Sequence, residues 1–538
     1  EHMPSAAYCV IGSGLAGVAC ARALLDSGAE VLMIDAGSEC EDEKMEAVSR
    51  LAALDPARWS PEDLSAIQSD YLRARSGQAF KPIYGSEFPY AKYELAVMEQ
   101  RGTKCLISHA KGGLSNVWGA AVLPAPAADF ADWPFARKEL ERSYAEVGQM
   151  LGIAGENDDL AEFFPFYASA QSPAPSSRQA HAFLSRWRAN RKRLKSSGIA
   201  FGNSRLALKT SADNSNRRCR LTGLCLSGCP YSAIYNSRHT LEDLQKNPNF
   251  RYEPGWIAEE IKENGEAAFV QCRPTKTGGS SARFEARRVF AACGALGTAK
   301  LILASTHPAA KLTLRYQPYF LLPVLAFSPS RGVDKEELHT LAQGFMEIAD
   351  PGISSRLIHL QFYTYNSFIK DKVRGILRSV PSAIAERMGP ALWERLLVVQ
   401  GYLNSQEGGT IALTAEKSDS AGLRLRLSGR LPASTRWKIF RVAAKLLRHS
   451  RAVGGISLLP FMELGMPGEG NHIGSVFPMT AKPSGFESDL LGRVAGMRLT
   501  HAVDASVLPT LPATTISYTV MANAHRIALE TARLDRRP

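Results

Sequence analysis

At 538 residues the chain exceeds the usual size of a single hydrophobic core, so at least two structural regions sharing a large interface are expected. Its 45% hydrophobic and 22% charged residues are those of an ordinary globular protein and exclude a disordered or collagen-like chain. The net charge of +12 invites a nucleic-acid reading, yet the one dense basic run, Arg186 to Lys195, lacks the aromatic interleaving of a base-stacking surface; it reads as a solvated face, or as a weak docking site for an acidic partner protein.

No apolar run approaches the roughly 18 residues that span a bilayer. The best candidate, Pro318 to Phe327, is interrupted by proline, and an integral membrane protein is not expected. The first residues run straight into a strand pattern without the basic, apolar and small-residue succession of an export signal, so cytoplasmic folding is expected. Nine cysteines in such a chain argue against a disulfide framework.

In chain order, residues 7 to 36 predict a strand, a tight turn, a helix and a second strand: Tyr8-Cys9-Val10-Ile11 is apolar, glycines follow, and Val31 to Ile34 is apolar again. The stretch from Ser38 to about Glu94 is charged, carries Pro56 and Pro61 and shows helical periodicity only in places, which makes 38–99 an excursion over the surface. From Ile257 to Phe290, apolar and polar residues alternate with glycine interruptions, predicting a small antiparallel meander that ends in a buried strand at Val289 to Ala292. Between Leu312 and Arg430, alternating runs such as Leu357 to Tyr365 and Thr410 to Ala415 predict a second, mainly antiparallel sheet. After about residue 465 a further strand and helix return to the first domain.

The first motif is Gly12-Ser13-Gly14-Leu15-Ala16-Gly17, with Asp35 closing the next strand. Gly12 allows the turn, Gly14 lets backbone approach a pyrophosphate, Gly17 lets helix pack on strand, and the helix N-terminus stabilises the anion. Asp35 stands at the spacing that binds ribose hydroxyls. It favours an unphosphorylated ribose and does not by itself separate FAD from NAD.

Three further blocks follow in order: Gly112-Gly113-Leu114-Ser115-Asn116-Val117-Trp118-Gly119; Ala291-Ala292-Cys293-Gly294-Ala295-Leu296-Gly297; and a C-terminal block. The last holds His472-Ile473-Gly474-Ser475, then Val503-Asp504-Ala505-Ser506-Val507-Leu508-Pro509, Pro512 and Thr519-Val520-Met521-Ala522. Together the four blocks resemble the glucose–methanol–choline (GMC) family of FAD-dependent oxidoreductases. The resemblance implies an α/β fold, with a Rossmann-type FAD-binding domain made of a parallel sheet and the small meander, and a second, mainly antiparallel substrate domain. It distributes the chain as 3–37, 100–160, 200–310 and 465–538 for FAD and 311–464, with parts of 161–199, for substrate.

By the same resemblance Gly112, Gly113, Ser115 and Asn116 lie along the flavin. Asp504 and Ala505 contact its ribityl or pyrophosphate part, and Leu15, Ala16, Ala36, Ala292 and Gly294 join the cofactor site. The helix starting near Thr519 aims its dipole at the flavin N1 and O2 edge, favouring the negative charge of the reduced ring. Some family members tether the flavin through a histidine in the Gly-Gly block, and the position that matches the sugar-oxidising relatives holds Val117, so non-covalent FAD is implied. His472 is implied as the general base that takes the proton of a substrate hydroxyl while the carbinol carbon gives hydride to flavin N5. The family usually supplies a second His or Asn about forty residues later; Thr515 stands there instead, a hydrogen-bonding group but a poor base.

Two segments carry alternatives. Cys219, Cys225 and Cys229, with Gly223 and Gly228, have a spacing that suits an iron–sulfur cluster passing electrons to a carrier protein or partner subunit, or simply a packed loop of reduced thiols. From Phe368 to Leu397, basic and apolar residues interleave, as in a lid over the substrate or a helix pair resting on an anionic membrane. The substrate implied is a small-molecule alcohol, first a carbohydrate hydroxyl, next a lipid or sterol alcohol; the rival activity is a lyase that keeps FAD without redox chemistry.

Overall fold

The computed structural model describes residues 6–68, 82–90, 98–211, 217–276, 278–418, 422–494 and 496–536. Residues 3–5 of the expected FAD domain and 69–81 and 91–97 of the expected surface excursion lie outside them.

β1 (Ala6–Ile11) and β2 (Val31–Asp35) are apolar runs buried on both faces, as strands of a covered parallel sheet must be. They flank the helix Leu15–Asp26 in a parallel βαβ unit whose register pairs Ile11 with Ile34. The first sheet has the order β5 (Phe250–Pro254), β2, β1, β8 (Ala282–Ala291), β7 (Ala268–Pro274), β6 (Trp256–Glu263), with β19 (Thr500–Ala502) also paired to β8. β5, β2, β1, β8 and β19 run parallel, and β6, β7 and β8 form the predicted antiparallel meander.

The second sheet has the order β16 (Gly455–Ser457), β10 (Tyr319–Ala326), β13 (Leu396–Leu403), β12 (Ile358–Tyr363), β11 (Gly344–Ile348), β4 (Ile199–Asn203), with β17 (Glu463–Leu464) on β10. It is antiparallel throughout. Among the described residues a third sheet joins β18 (Ile473–Gly474), β9 (Lys311–Tyr316), β14 (Thr410–Ser418), β15 (Gly422–Ser428) and β3 (Met98–Arg101). Local alternation read the region after Leu312 as one sheet, because the period of two marks a strand and not its partner. The α/β class, with a Rossmann-type region and a mainly antiparallel region, is the one expected.

β9 and β10 belong to different sheets although only Gln317 and Pro318 separate them. The chain therefore turns a corner at Gln317, and this corner faces the candidate site. Between β2 and β3 the described part of the surface excursion contains the helices Asp42–Ala53 and Pro61–Ile67 around a small apolar cluster of its own. Among the described residues no helix is long and apolar enough to cross a membrane.

Candidate active site

The glycines of the first motif differ in what surrounds them. Gly12 has φ +102°, and its Cβ would lie 2.6 Å from the carbonyl oxygen of Ala292; a Cβ on Gly17 would lie 1.9 Å from that of Gly12. Strand, turn and helix close together only without side chains there. Gly14 has φ −65° and ψ −177°, which any residue adopts, and its Cβ would meet no described atom within 4 Å. Gly294 likewise faces open space.

That space is a cavity of about 1170 Å³, above the roughly 300–1,000 Å³ of ordinary small-molecule sites. It begins at the carboxyl ends of β1, β2 and β8, lined by Gly12, Gly14, Leu15, Ala16, Asp35, Ala36, Ala292 and Gly294. It continues past Gly113, Ser115, Val117, Asp504 and Ala505 to His472 and Thr515. The helices Leu15–Asp26, Ala295–Thr306 and Ser517–Asp535 all begin on its wall. None of the three has a side-chain cap or an acidic residue in its first turn, so their positive ends are left to an anionic ligand.

Other predicted residues hold the wall from behind. Gly112, Gly17, Asn116 and Thr519 are not on the cavity surface. Asn116 Nδ2 donates to the carbonyls of Lys111 and Gly113 at 3.0 and 2.7 Å, and the Ser115 hydroxyl donates to Gly112 O at 2.6 Å, so both side chains knit the loop. Thr519 Oγ1 is 2.9 Å from the Tyr144 hydroxyl inside the core, and it is Ile516, Ser517 and Val520 that face the cavity, the helix starting at Ser517. The Ser13 hydroxyl joins the two glycine loops: it donates to Asp35 and accepts from Gly112 N at 2.9 Å. Tyr252, unmarked by any motif, also donates to Asp35, at 2.9 Å. Burial pushes the Asp35 carboxyl up to about 6 against these two hydrogen bonds. Asp504, raised by burial, accepts from Thr298 Oγ1 at 2.5 Å and from Ser506 N at 2.9 Å.

At the far end, β18 pairs with β9 so that Ile473 lies opposite Tyr316, and one step on Gln317 N donates to His472 O at 3.1 Å. Asn471 and Ser475, which bracket the pair, have φ +59° and +54°, uncommon for residues other than glycine and a frequent mark of functional backbone. The side chain of Gln317 lies behind the cavity wall: its Oε1 is 2.5 Å from His472 Nδ1, and its Nε2 donates to Thr514 O at 2.7 Å and to Pro512 O. Burial, with His359 nearby, pulls the His472 imidazole down to about 4, so it is neutral at neutral pH. Thr515 Oγ1 donates to Ala121 O at 2.8 Å.

The opposite wall is one face of the second sheet. Cross-strand register aligns Tyr319, Tyr402 and His359 in one row and Leu321, Gln400 and Gln361 in the next. Tyr319, Leu321, Gln361, Tyr363, Gln400 and Tyr402 line the cavity, and the Tyr402 ring lies 5.3 Å from that of His472. The expected lid segment forms the helices Ser367–Ile376 and Ser382–Trp393; Phe368, Ile369 and Lys372 reach the cavity, while Ile369, Val373, Leu377 and Trp393 share a small separate core with Val333.

The three clustered cysteines do not assemble into a ligand set. Cys225 Sγ accepts from Thr340 N at 3.3 Å, and burial, with neighbouring thiols of the cluster, pushes Cys219 and Cys229 up to about 11 and 12. Among the described residues no group of three or more His, Cys, Asp or Glu is placed to hold a metal ion.

A parallel βαβ unit whose glycine turn and helix N-termini open on a long cavity, with a neutral histidine at its end, defines a dinucleotide-binding oxidoreductase architecture. Residues 7–319 match the family model described as GMC oxidoreductase, and the chain belongs to the GMC oxidoreductase family. It is 26% identical over 316 residues to 6'''-hydroxyparomomycin C oxidase of Streptomyces lividus, a match covering 56% of this chain and 50% of that protein. The chain thus spans half the length of this relative. Among solved structures it is similar to pyridoxine 4-oxidase from Mesorbium loti, with TM-score 0.58 and 14% identity over 98% of this chain and 99% of the other. An FAD-dependent oxidoreductase from Chaetomium thermophilum has TM-score 0.59 at 14% identity, over 99% of this chain and 100% of the other.

The family's cofactor is FAD, and the residues present fit it. The open cradles at Gly14 and Gly294, three uncapped helix starts and the buried Asp35 carboxyl supply the contacts a pyrophosphate, a flavin edge and a ribose need.

Proposed function

We propose that this chain oxidises the alcohol carbon of a hydroxyl-rich, carbohydrate-like small molecule to a carbonyl, with FAD as its cofactor. The observation that carries this is one cavity running without a break from the glycine turn to His472. Bound FAD supplies the acceptor for the hydride that leaves the carbinol carbon. His472, kept neutral by burial, accepts the hydroxyl proton, so the alcohol loses one hydride and one proton in all. Asn471, next to His472 in sequence, also lines the cavity and is a candidate to contact the bound hydroxyl compound.

The helix starting at Ser517 favours negative charge at this end of the cavity, and the lid helix Ser367–Ile376 keeps water from the reacting carbon. The amides of Gln361 and Gln400 and the tyrosines beside them support a substrate with several hydroxyls better than a sterol. The name of the Streptomyces relative, an oxidase of 6'''-hydroxyparomomycin C, points the same way. In this division of labour the segments 3–37, 100–160, 200–310 and 465–538 hold FAD, and 311–464 shapes the substrate wall.

Anaerobic mixing of the flavin-loaded protein with sugars, polyols and sterols tests this. Bleaching of the flavin absorbance by a hydroxyl-rich alcohol is expected. A flavin that no alcohol reduces would favour a lyase with the same fold, and bleaching by sterols alone would move the substrate to the lipid class.

A further inference from the structure

We propose that Gln317 is the positioning residue of this site: it selects the His472 tautomer that carries its proton on Nδ1 and leaves Nε2 free to act as the base. For its catalytic meaning this rests on His472 as the base; the tautomer itself does not.

The argument turns on which way the Gln317 amide must face. Its Nε2 lies 2.7 Å from Thr514 O and within hydrogen-bond reach of Pro512 O, and both are acceptors only. Reversing the amide would put its oxygen against two carbonyl oxygens in a place where Gln317 is 3% exposed and water cannot relieve the repulsion. The orientation is therefore set by the backbone of the 512–514 loop. Oε1 then faces His472 Nδ1 at 2.5 Å, and since an amide oxygen can only accept, Nδ1 must donate. The lone pair is left on Nε2, at the other edge of a ring that lines the cavity.

The backbone enforces the same pairing. Gln317 N donates to His472 O at 3.1 Å as the β9–β18 ladder ends, so backbone and side chain of one residue hold both ends of the other. Because Thr514 precedes Thr515, the same side chain also ties the Thr515 loop to His472 behind the cavity wall. The titratable groups facing the imidazole are Tyr402, packed on its ring, His359 and Tyr319 next to Tyr402, and the Lys104–Glu469 ion pair at 3.1 Å on the loops beside it.

The test reads the tautomer directly. In flavin-loaded protein labelled with 15N at histidine, the resonances of His472 are assigned by their loss in His472→Ala. A protonated, pyrrole-type Nδ1 and a bare, pyridine-type Nε2 are expected. In Gln317→Leu the Nε2–H form, which a free imidazole side chain prefers, should gain population. Gln317→Glu puts its second carboxyl oxygen against Thr514 O and Pro512 O, so it should stay protonated and donate there, keep an acceptor on Nδ1, and retain both the tautomer and most of the rate of flavin reduction by any alcohol that bleaches it. Relative to the native protein, Gln317→Leu should slow that reduction about tenfold to a hundredfold with the KM for the alcohol little changed.

A wild-type spectrum with the proton on Nε2, or a Gln317→Glu variant whose proton moves to Nε2, would overturn the proposal. Should Gln317→Leu fail to fold, the native spectrum and the Gln317→Glu spectrum still decide it. Should no alcohol reduce the flavin, the oxidation proposed above fails while the tautomer stands or falls on its own resonances.

Discussion

A Cβ on Gly17 would stand 1.9 Å from the carbonyl oxygen of Gly12, whereas Gly14, between the two in sequence, has open space where its Cβ would be. The same motif therefore contains two glycines that the protein's own packing requires and one beside open space, where the pyrophosphate is expected to lie. Gly17→Ala is expected to cost about 1–3 kcal/mol or more through overpacking, lowering the melting temperature with or without flavin. Gly14→Val should melt like the native apoprotein and lose most of its flavin, read as the ratio of visible to ultraviolet absorbance. A Gly14→Val protein with full flavin content would remove the pyrophosphate from this turn.

His472→Ala should keep FAD and slow flavin reduction at least about a hundredfold, the usual contribution of a positioned base. The sign of the pH dependence follows from burial, which lowers the imidazole from 6.5 to about 4, and from the proposed role, since a base must be neutral to accept a proton. The rate should stay level from neutrality down through pH 6.5 and fall only as the pH approaches the lowered value. An acid limb centred near 6.5 would mean that a different or more exposed group titrates.

Thr515 spends its hydroxyl proton on Ala121 O at 2.8 Å, so toward substrate it offers lone pairs only. Thr515→Val should cost about 1 kcal/mol, roughly a fivefold slower reduction, well short of the effect at His472. An equal loss in the two variants would give Thr515 the larger part.

Cys219, Cys225 and Cys229 should behave as loop packing. Metal analysis of anaerobically purified protein is expected to find iron well below the flavin content, with the three thiols titrating as free after denaturation. A paramagnetic signal at low temperature with stoichiometric iron would restore the cluster, and with it a carrier protein as electron acceptor.

The flavin should be held without a covalent bond, since Val117, on the cavity wall, has no nucleophile. Acid precipitation should leave the yellow colour in the supernatant. Colour in the pellet would show a tether.

Much of the cofactor half was legible from residues close together in the chain. The Gly12–Gly17 turn, Asp35 at the end of its strand and the Ile257–Phe290 meander are local patterns, because turn geometry and strand alternation depend on neighbours a few residues away. Their physical consequence, a helix start open to an anion, follows from the same short stretch. The family blocks added His472 by its company rather than by any periodicity.

What only the tertiary structure decided lies at contacts across long separations. Gln317 and His472 are 155 residues apart, and no spacing marks a glutamine at the corner of two sheets as the partner of a histidine; the β9–β18 pairing makes them neighbours. Tyr252 reaches Asp35 because β5 lies beside β2, and Gln361 meets Gln400 only through the register of β12 on β13. The cysteine spacing shows the limit of local reading from the other side: three thiols close in the chain need not be a ligand set, and among the described residues no group of three or more His, Cys, Asp or Glu is placed to hold a metal ion. Short-range sequence determines which elements form and which backbone turns are possible. Which side chains face one cavity is determined by strand order and register, properties of the folded chain as a whole.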